Sequence, residues 1–312
     1  MHRTPILHHY PESPFAEKAR LMLGFKQLSW GSVYIPRIMP KPDLTALTGG
    51  YRRTPVLQIG ADIYCDTALI ARRLEAEKAT PALFPEGREL VVSAFAQWAD
   101  SLVFQTAITL GFQPQALSAR LGSLPEAAVQ AFVADRAALF KGGAVPRVSV
   151  EQARSTWAVL MLRLEQQLAR EDSDFLFGAP SLADFALATP LWFLHSNPVT
   201  APLVDASPAI SAWLRRVLDV GHGSAQRMDA QQALDIARQA EPAPLPAEAF
   251  ADPNGFGAGQ RVSICAEDYG VDAVEGELLY AGAEELILRR EDERAGVVHV
   301  HFPRLGFRIE AR

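Results

Sequence analysis

Three short pieces in the first quarter of this chain hold residue types that could grip and activate an anion. The first is Ser13-Pro14-Phe15. It follows Pro5-Ile6-Leu7-His8-His9-Tyr10, a run suited to a strand, and precedes Ala19, Leu21, Met22, Leu23 and Phe25 at helical spacing. Ser13 stands where an N-cap would, and Pro14 takes the first helical position, where a missing N–H costs nothing. Capping is the ordinary task of such a serine. Its hydroxyl could also donate a hydrogen bond to a bound anion, and the positive end of the helix favours a thiolate over a thiol there. The second piece, Arg53-Thr54-Pro55-Val56-Leu57-Gln58-Ile59, reads with Ile63-Tyr64-Cys65 as two strands joined at Gly60-Ala61-Asp62. The third, Asp66-Thr67, opens an apolar helical pattern through Ala68, Leu69, Ile70 and Leu74, where a carboxylate and a hydroxyl suit exposed N–H groups.

In this order and at these spacings the pieces resemble the glutathione-binding half of the glutathione transferases. The resemblance implies a thioredoxin-like domain gripping the tripeptide at three turns. Ser13 then matches the catalytic hydroxyl of the serine-type members, with Phe15 beside it. Pro55 matches a cis proline that frees the main chain of Thr54 to pair with the cysteinyl unit. Asp66 and Thr67 stand where Glu-Ser is common, one methylene shorter and one methyl larger, and would hold the γ-glutamyl amine and carboxylate. Lys41 and Arg53 would meet the glycine carboxylate, with Arg52 or Arg37 as substitutes. The alternative for these bases is to face solvent. Tyr10, Trp98, Phe104 and Phe112 would wall in a second, apolar substrate. A cysteine at the Ser13 position would permit thiol–disulfide exchange; a serine cannot form the mixed disulfide, so no glutaredoxin-like activity is expected.

The elements that must carry these residues follow from the same patterns. The expected architecture is an α/β thioredoxin-like domain at residues 1–80, an all-α domain at 86–240 and a small antiparallel, mostly-β module at 247–312. Helical patterns run over Glu89 to Phe112, Glu126 to Lys141 and Val150 to Glu171, the last amphipathic. Ser181-Leu182-Ala183-Asp184 reads as a capping box opening an apolar helix, and Ser207-Pro208 opens another. The family resemblance covers residues 1 to 221. Beyond it, Gly223 to Ala240 reads as one more helix, and Glu241-Pro242-Ala243-Pro244-Leu245-Pro246 as a stiff linker. Strand-like runs then follow at Gln260 to Cys265, Glu277 to Tyr280, Glu285 to Arg289, Val297 to Phe302 and Gly306 to Glu310. His299 and His301 alternate onto one strand face and read as partly exposed. His8 and His9 read as one buried and one exposed.

The chain carries 36 acidic and 30 basic residues. From Pro242 onward there are 13 acidic and 7 basic, so the net charge of −6 lies wholly in the tail. No basic stripe suits nucleic acid, and no apolar run suits a membrane span. Cys65 and Cys265 provide neither a disulfide framework nor metal spacing, which points to a reducing cytoplasm. The expected function is a transferase of the detoxification type: glutathione as co-substrate, no metal, a small apolar electrophile, and a homodimer as the family forms. The alternative is a non-catalytic scaffold of the same fold, with the β module as an interaction surface.

Overall fold

The computed structural model describes residues 4–146, 148–170, 174–249 and 252–312. Its centre is the four strands expected of the first domain: β1 (Ile6–His9), β2 (Ser29–Tyr34), β3 (Val56–Ile59) and β4 (Asp62–Cys65). β1 pairs in parallel with β2 and antiparallel with β3, and β3 pairs antiparallel with β4. Side chains alternate across the sheet. Leu57, Ile59 and Tyr64 enter one core with α1 (Pro14–Phe25) and α3 (Thr67–Glu77). Val56, Ile63 and Cys65 enter a second core with α2 (Pro42–Thr48). Both faces are covered, so both histidines of β1 are buried, at 2 % exposure each. The expectation that one of them is exposed is corrected here. A central strand between helices has no solvent face.

The all-α domain follows. α4 (Glu89–Trp98) runs through a π-helical turn at Ala99–Val103 into α5 (Phe104–Gly111), so the single long helix expected over 89–112 is interrupted but not broken. α6 (Pro114–Leu121) and α7 (Glu126–Leu139) lead to α8 (Val150–Arg170); Glu171, expected to end that helix, lies outside the described residues. α9 (Leu182–His195) is buried on nearly every side and packs on α1. Its Ser181–Asp184 capping box forms, and the Asp184 carboxylate also accepts from the Leu176 amide at 2.9 Å and Trp213 Nε1 at 3.1 Å. α10 (Pro202–Asp205) and α11 (Pro208–Leu218) complete the layer, and one apolar core runs unbroken between this layer and the sheet.

The rest of the chain returns to the sheet. β5 (Ser224–Met228) pairs in parallel with β2, and α12 (Ala230–Gln239) follows behind an Asp229–Gln232 capping box. A helix over all of 223–240 is therefore corrected to a strand and a shorter helix. Ala225, Gln226, Arg227 and Met228 favour helix intrinsically, but the open edge of β2 offers hydrogen bonds that override propensity. The C-terminal β module is present as β6 (Arg261–Ala266), β7 (Val274–Ala281), β8 (Glu285–Asp292), β9 (Gly296–Pro303) and β10 (Phe307–Ala311). These strands pair antiparallel among themselves, and β9 then pairs in parallel with β4, which makes one ten-stranded sheet in the order β10-β6-β7-β8-β9-β4-β3-β1-β2-β5. Val262, Ile264, Leu286, Leu288, Val298 and Val300 join the second core, beneath α2 and α12. At this seam His301 is buried, not partly exposed. It lies between Asp62, 3.2 Å from Nε2, and Glu285, 3.0 Å from Nδ1. Burial alone would lower its pKa, but the hydrogen bonds to Asp62 and Glu285 outweigh it and raise it.

Candidate functional site

The turn between β1 and α1 aims Ser13 into a cavity of about 320 Å³ between the sheet domain and the helical layer. Ser13 is 3 % exposed, and its Oγ accepts the Ala16 amide hydrogen at 3.3 Å. That bond uses only acceptor capacity, so the hydroxyl can also donate, and the Tyr10 oxygen beside it is one acceptor. The first turn of α1 supplies positive potential at the same point. Tyr10 borders Ser13, its pKa raised by burial against the opposing pull of Arg136 and the Ser13 hydroxyl. The far wall is aromatic. Phe15 lies 4.4 Å from Phe104, ring centre to ring centre, and Phe104 and Phe112 lie 6.4 and 6.0 Å from Phe193.

The Thr54–Pro55 peptide is cis, and neither the N–H nor the C=O of Thr54 is hydrogen-bonded among the described residues. Lys41 is 3 % exposed and donates to the Arg52 carbonyl at 3.2 Å and the Thr54 hydroxyl at 3.0 Å. It forms no ion pair among the described residues, and burial pushes its pKa down to about 8. Asp66 has φ of 74°, in the left-handed region, and caps α3 through the Ala68 amide at 2.9 Å. A non-glycine residue held there signals a local constraint of the kind found at binding turns. Lys18, fully buried, donates to Thr67 Oγ1 at 3.3 Å and pairs with Asp100 of the π-helical turn, which ties the start of α3 to both neighbouring helices. Burial raises the Asp100 carboxyl to about 6, with Lys18 opposing it.

The C-terminal module reaches the same cavity. The turn after β6 brings Asp268 and Tyr269 onto Arg53: Asp268 pairs with its guanidinium, and the Tyr269 carbonyl accepts Nε at 3.0 Å. The guanidinium carbon is 4.1 Å from the centre of the Tyr269 ring, and Asp66 is 3.5 Å from Nη1. Burial disfavours charge on Arg53, but Tyr269, Tyr51, Asp268 and Asp66 together push its pKa up. The turn is fastened on its other side to the end of α7, where the Gly270 amide donates to the Leu139 carbonyl at 2.7 Å and Phe140 lies 5.1 Å from Tyr269. A Cβ on Gly143 would come within 1.7 Å of the Asp268 carbonyl oxygen, so only glycine fits at that crossing.

Of the residues singled out from sequence, Tyr10, Ser13, Phe15, Lys41, Arg53, Thr54, Phe104 and Phe112 line the cavity. Pro55, Asp66 and Thr67 stand next to it but outside the lining, and Trp98 is turned away, packed 5.1 Å from Phe95. Arg120, Arg136, Phe193 and Tyr269 line it and were not foreseen. They come from α6, α7, α9 and the tail, and nothing in their local sequence marks them. Among the described residues, no group of three or more His, Cys, Asp or Glu could hold a metal ion, and no helix is long and apolar enough to cross a membrane.

A thioredoxin-like sheet domain with a serine at its first turn, a cis proline facing it and an all-α layer behind defines a class of glutathione-handling folds. Comparison with known proteins agrees. The N-terminal domain profile of the glutathione S-transferases matches residues 7–82, and their C-terminal domain profile matches residues 147–216. A GST-like protein from Pseudomonas syringae is 58% identical over 100% of both chains, with a TM-score of 0.85. The chain therefore belongs to the glutathione S-transferase family. A glutathione S-transferase from Methylobacillus flagellatus with glutathione bound is 18% identical, covering 70% of this chain and 99% of its own, with a TM-score of 0.50. The beta-etherase LigF from Sphingobium is 17% identical, covering 69% and 95%, with a TM-score of 0.51. These two likenesses bear on the fold. Among curated proteins, none matches.

Proposed function

We propose that the protein is a serine-type glutathione transferase that joins the glutathione sulfur to an electrophilic carbon of a second, largely apolar substrate. The observation that carries this is Ser13: a buried hydroxyl able to donate, beside Tyr10 at a helix N-terminus, opening onto an aromatic-walled cavity. Glutathione would lie along the free main chain of Thr54, with Asp66 and Thr67 toward its γ-glutamyl end. Its glycine carboxylate would meet Lys41, since Arg53 already has the Asp268 carboxylate. Loss of the thiol proton to solvent leaves a thiolate that the Ser13 hydroxyl and the helix end stabilise. The thiolate then forms the C–S bond, and the leaving group departs with its electron pair. The reading carries a homodimer, which sedimentation would register as twice 34.1 kDa, and a reducing compartment.

Ser13→Ala tests it directly. The pKa of bound glutathione should rise by at least about one unit, equivalent to about 1.4 kcal/mol of lost thiolate stabilisation. Conjugation at neutral pH should slow in proportion while glutathione affinity changes little. An unchanged thiolate absorbance titration in the variant would remove Ser13 from this role.

A further inference from the structure

Six basic side chains line the cavity, and they are not equivalent. Arg37 pairs with Glu12, Arg52 and Arg136 with Asp135, and Arg53 with Asp268. Lys41 gives its donors to Arg52 and Thr54 at the glutathione end. Arg120, on α6, is the exception at the aromatic end. Its guanidinium carbon lies 4.3 Å from the centre of the Phe193 ring, and one amino group donates to the Phe193 carbonyl at 2.8 Å. Its Nε is buried with no hydrogen-bond partner, and no carboxylate lies within ion-pair distance of it among the described residues. A guanidinium stays protonated in such surroundings, and the one acidic group acting on it, Glu12 of the same cavity, stands beyond ion-pair distance. The aromatic contacts run from Phe15, beside Ser13, through Phe104 to Phe193 and so to Arg120. A substrate along this wall would have its reacting carbon near Ser13 and its other end at the arginine.

We propose that Arg120 determines specificity for the second substrate, and that this substrate is an aryl or alkyl electrophile with a carboxylate remote from its reacting carbon. The planar fork of a guanidinium matches the two oxygens of a carboxylate, and stacking on Phe193 holds the fork in place. Glu12 is already paired with Arg37, so the Arg120 cation suits a single negative charge. A phosphate dianion would leave a charge uncompensated there. The conjugation step rests on the transferase reading above; the binding of the carboxylate does not.

The test compares para-chloro-meta-nitrobenzoate with its methyl ester, using the full chain and saturating glutathione. In either compound the thiolate sulfur bonds to the ring carbon bearing chlorine, the C–Cl bond breaks, and chloride carries the electron pair away. Divided by the uncatalysed rate of each compound with glutathione, the expected kcat/KM for the acid exceeds that for the ester by about tenfold or more, the scale of a hydrogen-bonded charge. Arg120→Leu should bring the ratio to about one, and Arg120→Lys should restore part of the preference. Calorimetry of the acid without glutathione should show binding about tenfold weaker to Arg120→Leu than to the native chain. A ratio that survives Arg120→Leu, or equal binding of the acid to both proteins, overturns the proposal. Arg120-dependent binding of the acid with no conjugation of either compound would instead sink the transferase reading and leave the carboxylate site standing. Matched thermal melts of the three proteins exclude loss of fold as the cause.

Discussion

The four central strands are extended at both edges, and the two seams are held by different means. At the β2 edge, β5 is largely exposed, and the chain entering it is located by backbone contact. A Cβ on Gly24 of α1 would come within 2.0 Å of the Gly221 carbonyl oxygen, and one on Gly223 within 2.7 Å of the Leu28 carbonyl oxygen. Trp30 Nε1 donates to the His222 carbonyl at 2.7 Å, just before the strand. At the β4 edge, β9 is mostly buried, and the contact is ionic. Asp62 faces His301 and also accepts the Ala243 amide of the linker at 2.8 Å, while the His301 ring lies 4.3 Å from that of Tyr64. The β2 seam combines close main-chain crossings with a half-exposed His222 on Glu17 at 2.8 Å, whereas both partners of the Asp62–His301 contact at the β4 seam are buried. Only the second brings a new segment to the cavity, because β6 to β10 follow it and carry Tyr269 to Arg53.

Asp62→Ala should cost the most. It leaves His301 with one carboxylate where it had two and removes the acceptor of the Ala243 amide, a loss of about 3 kcal/mol for a broken buried ionic contact. Urea unfolding of the full chain measures it; a loss below about 1 kcal/mol would mean that the β4–β9 ladder holds without the charge. Gly24→Ala should come next, at about 2 kcal/mol, because the obstacle is main chain and cannot rotate away. Hydrogen exchange at β5 should rise in that variant and stay native at β9. The reverse pattern would break the contrast between the seams.

A smaller effect sharpens the contrast through pH. The folded pKa of His301 is raised, so its contribution to stability is complete below about 6.5, the unfolded value, and is lost as pH rises through the folded value. His8 and His9 act in the opposite sense. Burial lowers them to about 4 and about 3, with the Gln58 hydrogen bond opposing at His8 and Arg20 adding to the depression at His9. The unfolded chain binds their protons first, so stability falls as pH drops below about 6.5 toward those values. His301→Gln should therefore flatten the alkaline side of the unfolding profile and leave the acid side unchanged; an altered acid side would refute this assignment. The smallest effect is expected at the exposed seam. Arg227 lies 3.5 Å over the half-exposed Tyr34 ring, and Arg227→Ala should cost about 0.5 kcal/mol by the same urea measurement.

Much of the sheet domain and of the helical domain was legible because the signals are local. Ser13-Pro14 caps α1, Asp66 caps α3, and Ser181 with Asp184 closes its capping box, each within a few residues of its target. The tail strands were legible from alternation and glycine punctuation for the same reason. The β5 strand was hidden by residues that favour helix. The burial of His8, His9 and His301 was hidden because a strand does not reveal whether its second face is covered. At the site, Ser13, Thr54 and Lys41 could be named through the family resemblance that three motifs carry. Arg120 and Tyr269 could not, since an arginine on a polar helix and a tyrosine in a turn look like any others.

The sequence by itself determined where helices start, where strands run and which residue stands at the first turn, because caps, turns and periodicity act over one or two turns of chain. Tertiary structure alone decided that the tail strands join the first sheet through β4. It also decided that Asp268 and Tyr269 close on Arg53, about 215 residues away in sequence, and that four of the six bases around the cavity are neutralised. Those outcomes depend on pairing between distant segments. Which partner fills an open strand edge, or reaches a buried charge, is settled by the competition of the whole chain for that position.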